Sequence, residues 1–145
     1  MSIICIDPGA SGGIAWIDAD GNAQAANMPA SMTAICDWLR AFDGKPGVVI
    51  EKVGTGRPGN AAGAMTTFAR HCGNLDAALY LLGYPIIANP TPNAWMRLTG
   101  CPAKLEKSAR KKWLKDYAQR RYPHLRVTLK TSDALAMLAV ADKLK

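Results

Sequence analysis

The chain has 145 residues, 49% of them apolar, and a formal net charge of +7, which fits one ordinary domain with a genuine core. No apolar run approaches the ~20 residues of a membrane span, and no basic stretch followed by a long apolar one opens the chain, so a cytoplasmic protein is expected rather than a membrane or secreted one. The excess charge is local, with ten Lys and Arg against two acids, Glu106 and Asp116, between Lys104 and Lys130, and eight against nine elsewhere.

In chain order, Ser2-Ile3-Ile4-Cys5-Ile6 reads as a buried strand that delivers one carboxylate, Asp7, before Pro8-Gly9 ends it. Ala10, Ser11, Gly12 and Gly13 let the chain double back. Ile14 to Ile17 forms a second strand. The Asp-Gly and Gly-Asn steps of Asp20-Gly21-Asn22 then turn it into a weaker third strand, Ala23 to Met28. Ser31 can cap a helix to about Phe42, with Ile35, Trp38 and Leu39 on one stripe. Val48-Val49-Ile50 is a β-branched run that ends in Glu51 and so repeats the pattern of Asp7. Two such strands side by side would bring the two carboxylates together.

A polar Gly-rich loop, 54–60, follows Glu51 and carries Arg57. A long helix is expected from Ala61 to Leu82, where Met65, Phe68, Cys72, Leu75, Leu79 and Leu82 recur at helical spacing and Gly83 caps the end. Pro85 to Ala88 makes a fifth strand, and Asn93 to Leu98 a helical turn whose Trp95 reads as core. Ser108 to about Arg121 is a basic helix with a narrow stripe of Trp113, Leu114 and Tyr117. Finally, Ser132 is expected to cap an almost wholly apolar helix that opens with Asp133. Cys5, Cys36, Cys72 and Cys101 have no zinc-ligand spacing and read as reduced thiols. The order βββαβαβ followed by helices predicts an α/β domain on a mixed sheet. Charge confined to one segment suits a polyanion, since each phosphate neutralised releases counterions.

Taken together, IDPGASGG, IEKV, PNAWMRLTG with Lys104 and Lys107-Ser108, and SDALAMLAVAD resemble the RuvC-type Holliday-junction resolvases, in particular the short bacteriophage versions. The resemblance covers essentially the whole chain. It implies a ribonuclease H-like fold over residues 1–145, with a five-stranded mixed sheet of three antiparallel strands followed by parallel ones. It further implies Mg²⁺-dependent (or Mn²⁺-dependent) endonuclease action on four-way or other branched DNA by a homodimer in a bacterial or phage-infected cell. Asp7, Glu51 and Asp133 would be the metal-binding and catalytic acids, and Lys104 and Lys107 would hold the reacting phosphate. Arg57, Arg110, Lys111, Lys115 and Lys130 would join those two lysines along the DNA. The small residues after Asp7 would let a DNA backbone come close. Clustered acids suit this chemistry because Mg²⁺ prefers hard oxygen ligands, and paired ions roughly 4 Å apart can serve both attacking and leaving oxygens.

The chain departs from the family's pattern in two places. Leu129 and Lys130 stand where the family has a fourth acid or a His, and Gly54-Thr55-Gly56 stands where the bacterial enzymes have an aromatic wedge. A DNA-binding protein with a weakened site, and a nuclease of RNA or RNA–DNA hybrids, are therefore the competing expectations. The Asp-x-Gly start is also similar to the sugar-kinase and actin-like ATPases, but those need two such domains.

Overall fold

The structure is a computed structural model, and it describes residues 2–54 and 62–144. Five strands form one sheet: β1 (Ile3–Asp7), β2 (Gly13–Ile17), β3 (Ala23–Asn27), β4 (Gly47–Ile50) and β5 (Ile86–Ala88), in spatial order β3-β2-β1-β4-β5. The β1–β2 and β2–β3 pairs are antiparallel, and β4 and β5 extend the sheet in parallel. The helices are α1 (Met32–Arg40), α2 (Ala62–Leu81), α3 (Pro92–Thr99), α4 (Lys107–Arg121) and α5 (Ser132–Val140), with a 3₁₀ turn over Ala141–Lys143. This is the mixed sheet flanked by helices that the element order predicts.

Strand alternation splits the core in two. Ile3, Cys5, Ala15 and Val49 face one side, where Trp95, Leu114, Ala118 and the apolar residues of α5 cover them. Ile4, Ile6, Ile14, Val48 and Ile50 face the other, against Ile35 and Leu39 of α1 and Leu75 and Leu79 of α2. Trp16, Trp38 and Phe42 tie α1 and the residues just after it to β2 through edge-to-face contacts, with Trp16 and Trp38 centroids 5.4 Å apart. Beyond Ser132 and Asp133 the residues of α5 are all apolar, and the helix lies across β1 and β2 and is itself covered by α3 and α4. That explains a helix without a polar face.

One detail differs from expectation. Thr131, not Ser132, is the residue before α5, while Ser132 is buried inside the helix, where its hydroxyl donates to the Leu129 carbonyl at 3.3 Å. Among the small residues after Asp7, Ala10 and Ser11 are exposed, while Gly12 and Gly13 are buried against the chain itself. A Cβ on Gly12 would lie 2.0 Å from the Asp7 carbonyl oxygen, and one on Gly13 would lie 2.4 Å from the Lys130 carbonyl oxygen. Gly13 thus lets the turn before α5 rest on the start of β2. Gly13→Ala is expected to lose about 1–3 kcal/mol of stability in denaturant unfolding, because rigid backbone must move to admit the methyl.

Candidate active site

Asp7 and Glu51 meet because of register. Ile6 pairs with Ile50 across the parallel β1–β4 ladder, and the Glu51 N–H donates to the Ile6 carbonyl at 3.0 Å. Ile6 and Ile50 both face the α1/α2 side, so the next residue on each strand turns to the α3/α4/α5 side. Both carboxylates therefore emerge at the C-terminal end of the parallel pair, on the same face.

Asp133 arrives by a different route. The Thr131 and Ser132 N–H groups donate to the Thr128 carbonyl at 3.2 and 2.9 Å and close a tight turn. The Lys130 backbone of that turn sits against Gly13, which pairs with Asp7. The first turn of α5 is thereby held beside the tip of β1, with Asp133 in it.

Electrostatics show that the three acids feel one another. Burial pushes Asp7 up from 3.8 to about 8, with the charges of Asp133 and Glu51 adding to the rise and Lys111 opposing it. Glu51 rises to about 6 through burial and the Asp133 charge, against a hydrogen bond from Trp95 and the charge of Arg110. Asp133 is raised by burial and lowered by Lys111, by Ser132 and by Arg110. Its Oδ1 lies 3.4 Å from the Ser132 hydroxyl.

The cations that reach the acids are thus Lys111 and Arg110. Their position follows from α4, whose buried residues Leu114 and Ala118 fix the face turned to α5. Lys111 and Arg110 precede Leu114 by three and four residues, so they continue that face toward the acids. Lys104 and Lys107 are exposed at the start of α4, Lys104 with a left-handed backbone (φ 68°). Lys115 is half-buried and Lys130 exposed. Among the described residues none of these four lysines is in an ion pair. Arg57 lies outside the described residues.

Trp95 is fully buried, as expected of a core residue, but it also reaches the site. Its indole N–H donates to Glu51 Oε2 at 2.7 Å. No sequence signal links two residues 44 positions apart in this way. Trp113 is half-buried and stacks on Tyr117, with centroids 5.5 Å apart.

Three half-buried carboxylates, of which Asp7 is raised by the charges of the other two and Glu51 by that of Asp133, form a set of hard oxygen donors suited to a divalent cation. Among the described residues, no three Asp, Glu, His or Cys side chains already stand as a group able to hold an ion. The donor chemistry of the three acids fits such an ion. Also among the described residues, no helix is long and apolar enough to cross a membrane.

No protein-family profile and no curated protein matches the sequence. Among solved structures, the chain is similar to Thermus thermophilus RuvC at 14% identity and a TM-score of 0.64, over 99% of this chain and 96% of that one. It is likewise similar to T. thermophilus RuvC in complex with a Holliday junction substrate, at 14% identity and a TM-score of 0.62 with the same coverage. At such identity the likeness speaks for architecture: the chain has the ribonuclease H-like fold of RuvC.

Proposed function

We propose that the chain is a single-domain, structure-selective endonuclease that hydrolyses phosphodiester bonds in Holliday junctions or other branched DNA. The observation that carries this reading is the parallel register that ends β1 and β4 with Asp7 and Glu51 on neighbouring strands, and the turn against Gly13 that holds the start of α5, with Asp133, beside them. That a protein of the same fold is solved with a junction substrate supports the choice of DNA.

Asp7, Glu51 and Asp133 would hold Mg²⁺, with Mn²⁺ as a substitute. When bound, the ion supplies Lewis-acid stabilisation of the charge developing on the phosphate. Lys111 and Arg110, already facing the acids, hold the scissile phosphate from the α4 side and neutralise its added charge. Lys104, Lys107, Lys115 and Lys130, with Arg57, extend the contact along the DNA backbone.

Lys111→Ala is expected to slow cleavage by on the order of 10²-fold. Lys112→Ala, which removes an exposed lysine paired with Asp116 at 3.5 Å, should weaken binding slightly and leave the chemical step alone. Equal effects of the two changes on the single-turnover rate would count against a role for Lys111 at the phosphate.

A homodimer suits a two-fold symmetric junction that needs two nicks. At the end of α2, Tyr80 and Leu81 are 82% and 79% exposed, neighbouring large side chains suited to a second copy.

The test is cleavage of a four-way junction, a flap and an RNA–DNA hybrid by purified protein with Mg²⁺. Cutting of the junction is expected. Preference for the hybrid would favour a ribonuclease H-like activity instead. Salt-dependent junction binding without cutting in Mg²⁺ or Mn²⁺ would mark a binding protein with a weakened site, as Leu129 and Lys130 at the family's usual acid positions would explain.

A further inference from the structure

We propose that Trp95 is a positioning residue of the carboxylate site: its indole N–H holds one oxygen of Glu51 and so directs the other toward the cation. The inference rests on the metal-binding reading of that site.

The Glu51 region is gripped from three directions by one stretch of chain. Just before it, the Ile50 carbonyl accepts from Asn89 Nδ2 at 2.7 Å. Just after it, the Lys52 N–H donates to the Pro90 carbonyl at 2.8 Å. Between these ties, Trp95 bonds the Glu51 side chain itself.

Trp95 sits on a well-bounded helix. Thr91 caps α3 through its hydroxyl, Pro92 opens it, and Gly100 ends it in a left-handed conformation (φ 84°). The indole is wholly buried in the core made by Met137 and the alanines of α5. Its N–H has little freedom to aim elsewhere.

The chemistry of the donor is apt. An indole N–H can only donate, so it neither competes for a cation nor carries charge of its own. It occupies Oε2 and leaves Oε1 for the ion. A buried indole needs some acceptor, and a backbone carbonyl would satisfy it equally well. Here the acceptor is instead one of the three acids, and partners of this kind tune the ligands they hold.

The experiment is calorimetric titration of the full chain with Mn²⁺, without DNA. It compares the wild type, Trp95→Phe, and a variant carrying benzothienylalanine at position 95, which keeps the indole's shape and loses only the N–H. Both variants are expected to bind Mn²⁺ about 10- to 100-fold more weakly, and the shape-preserving one should unfold at the wild-type temperature. The magnesium concentration for half-maximal cleavage should shift in the same direction. Wild-type Mn²⁺ affinity in the shape-preserving variant would overturn the proposal, even if Trp95→Phe fails to fold. If the wild type binds Mn²⁺ but cuts no DNA, the nuclease reading fails while the role of Trp95 is still decided by the titration. If the wild type binds no Mn²⁺, both fail together.

Discussion

Asp7→Asn is expected to slow junction cleavage by at least about 10³-fold while junction binding persists. The change keeps the side chain's size and one oxygen, and removes the charge that a divalent cation would meet. Asp7 is pushed up to about 8, further than Glu51 at about 6, and both other acids contribute to its rise. Burial is the largest cause of that rise, and the charges of the two other acids add to it. On the proposed function, affinity for DNA would come mostly from cations on α4, which the substitution does not touch, so binding in a gel-shift assay should survive and rise if anything. A single-turnover assay with Mg²⁺ checks the rate. Cleavage within a few-fold of wild type would remove Asp7 from the chemistry.

A second large effect concerns stability in the absence of metal. Asp7 has an ordinary value of 3.8 and is pushed up to about 8 in the folded chain. Between those limits the folded chain keeps a proton that the unfolded chain releases. Stability is therefore full below about pH 4 and falls as pH rises toward 8. Glu51, pushed up to about 6, and Asp133, also raised, add to the same downward slope. Releasing that proton costs about 1.4 kcal/mol for each pH unit of the window, so the loss by pH 8 amounts to several kcal/mol. Asp7→Asn cannot ionise, so it should flatten much of this slope and make the metal-free protein melt higher than wild type at pH 8. Thermal unfolding in chelator across that range checks it. Parallel curves for the two proteins would show that Asp7 does not hold the proton.

The acids are legible in the sequence because each ends or opens a segment that burial defines. Two apolar strands that terminate in Asp7 and Glu51 leave little choice of edge once they pair in parallel. The sheet and its order follow from the same alternation and from the turns at Pro8-Gly9 and Gly21-Asn22. Less of the surrounding shell can be read. Lys104 and Lys107 are the lysines that match the family's pattern, yet the cations that act on the acids are Lys111 and Arg110. That choice depends on the rotation of α4 about its axis. Leu114 and Ala118 set it, whereas the apolar stripe of Trp113, Leu114 and Tyr117 spans a broader arc. The Trp95 bond is hidden from the sequence because it joins α3 to the end of β4 across the core. Gly12 and Gly13 suggest room for a DNA backbone, but the space serves the protein's own carbonyls at Asp7 and Lys130, which seat α5 and with it Asp133. Ser132 resembles a cap because Thr131, one residue earlier, makes no side-chain bond to the helix.

The central claim is that Asp7, Glu51 and Asp133 jointly hold a divalent cation. Anomalous diffraction from crystals of the protein grown with Mn²⁺ tests it most directly. An anomalous peak is expected between these three side chains, with Asp7 among its ligands and Trp95 still bonded to Glu51. A peak elsewhere, or none at the three acids under saturating Mn²⁺, would contradict it.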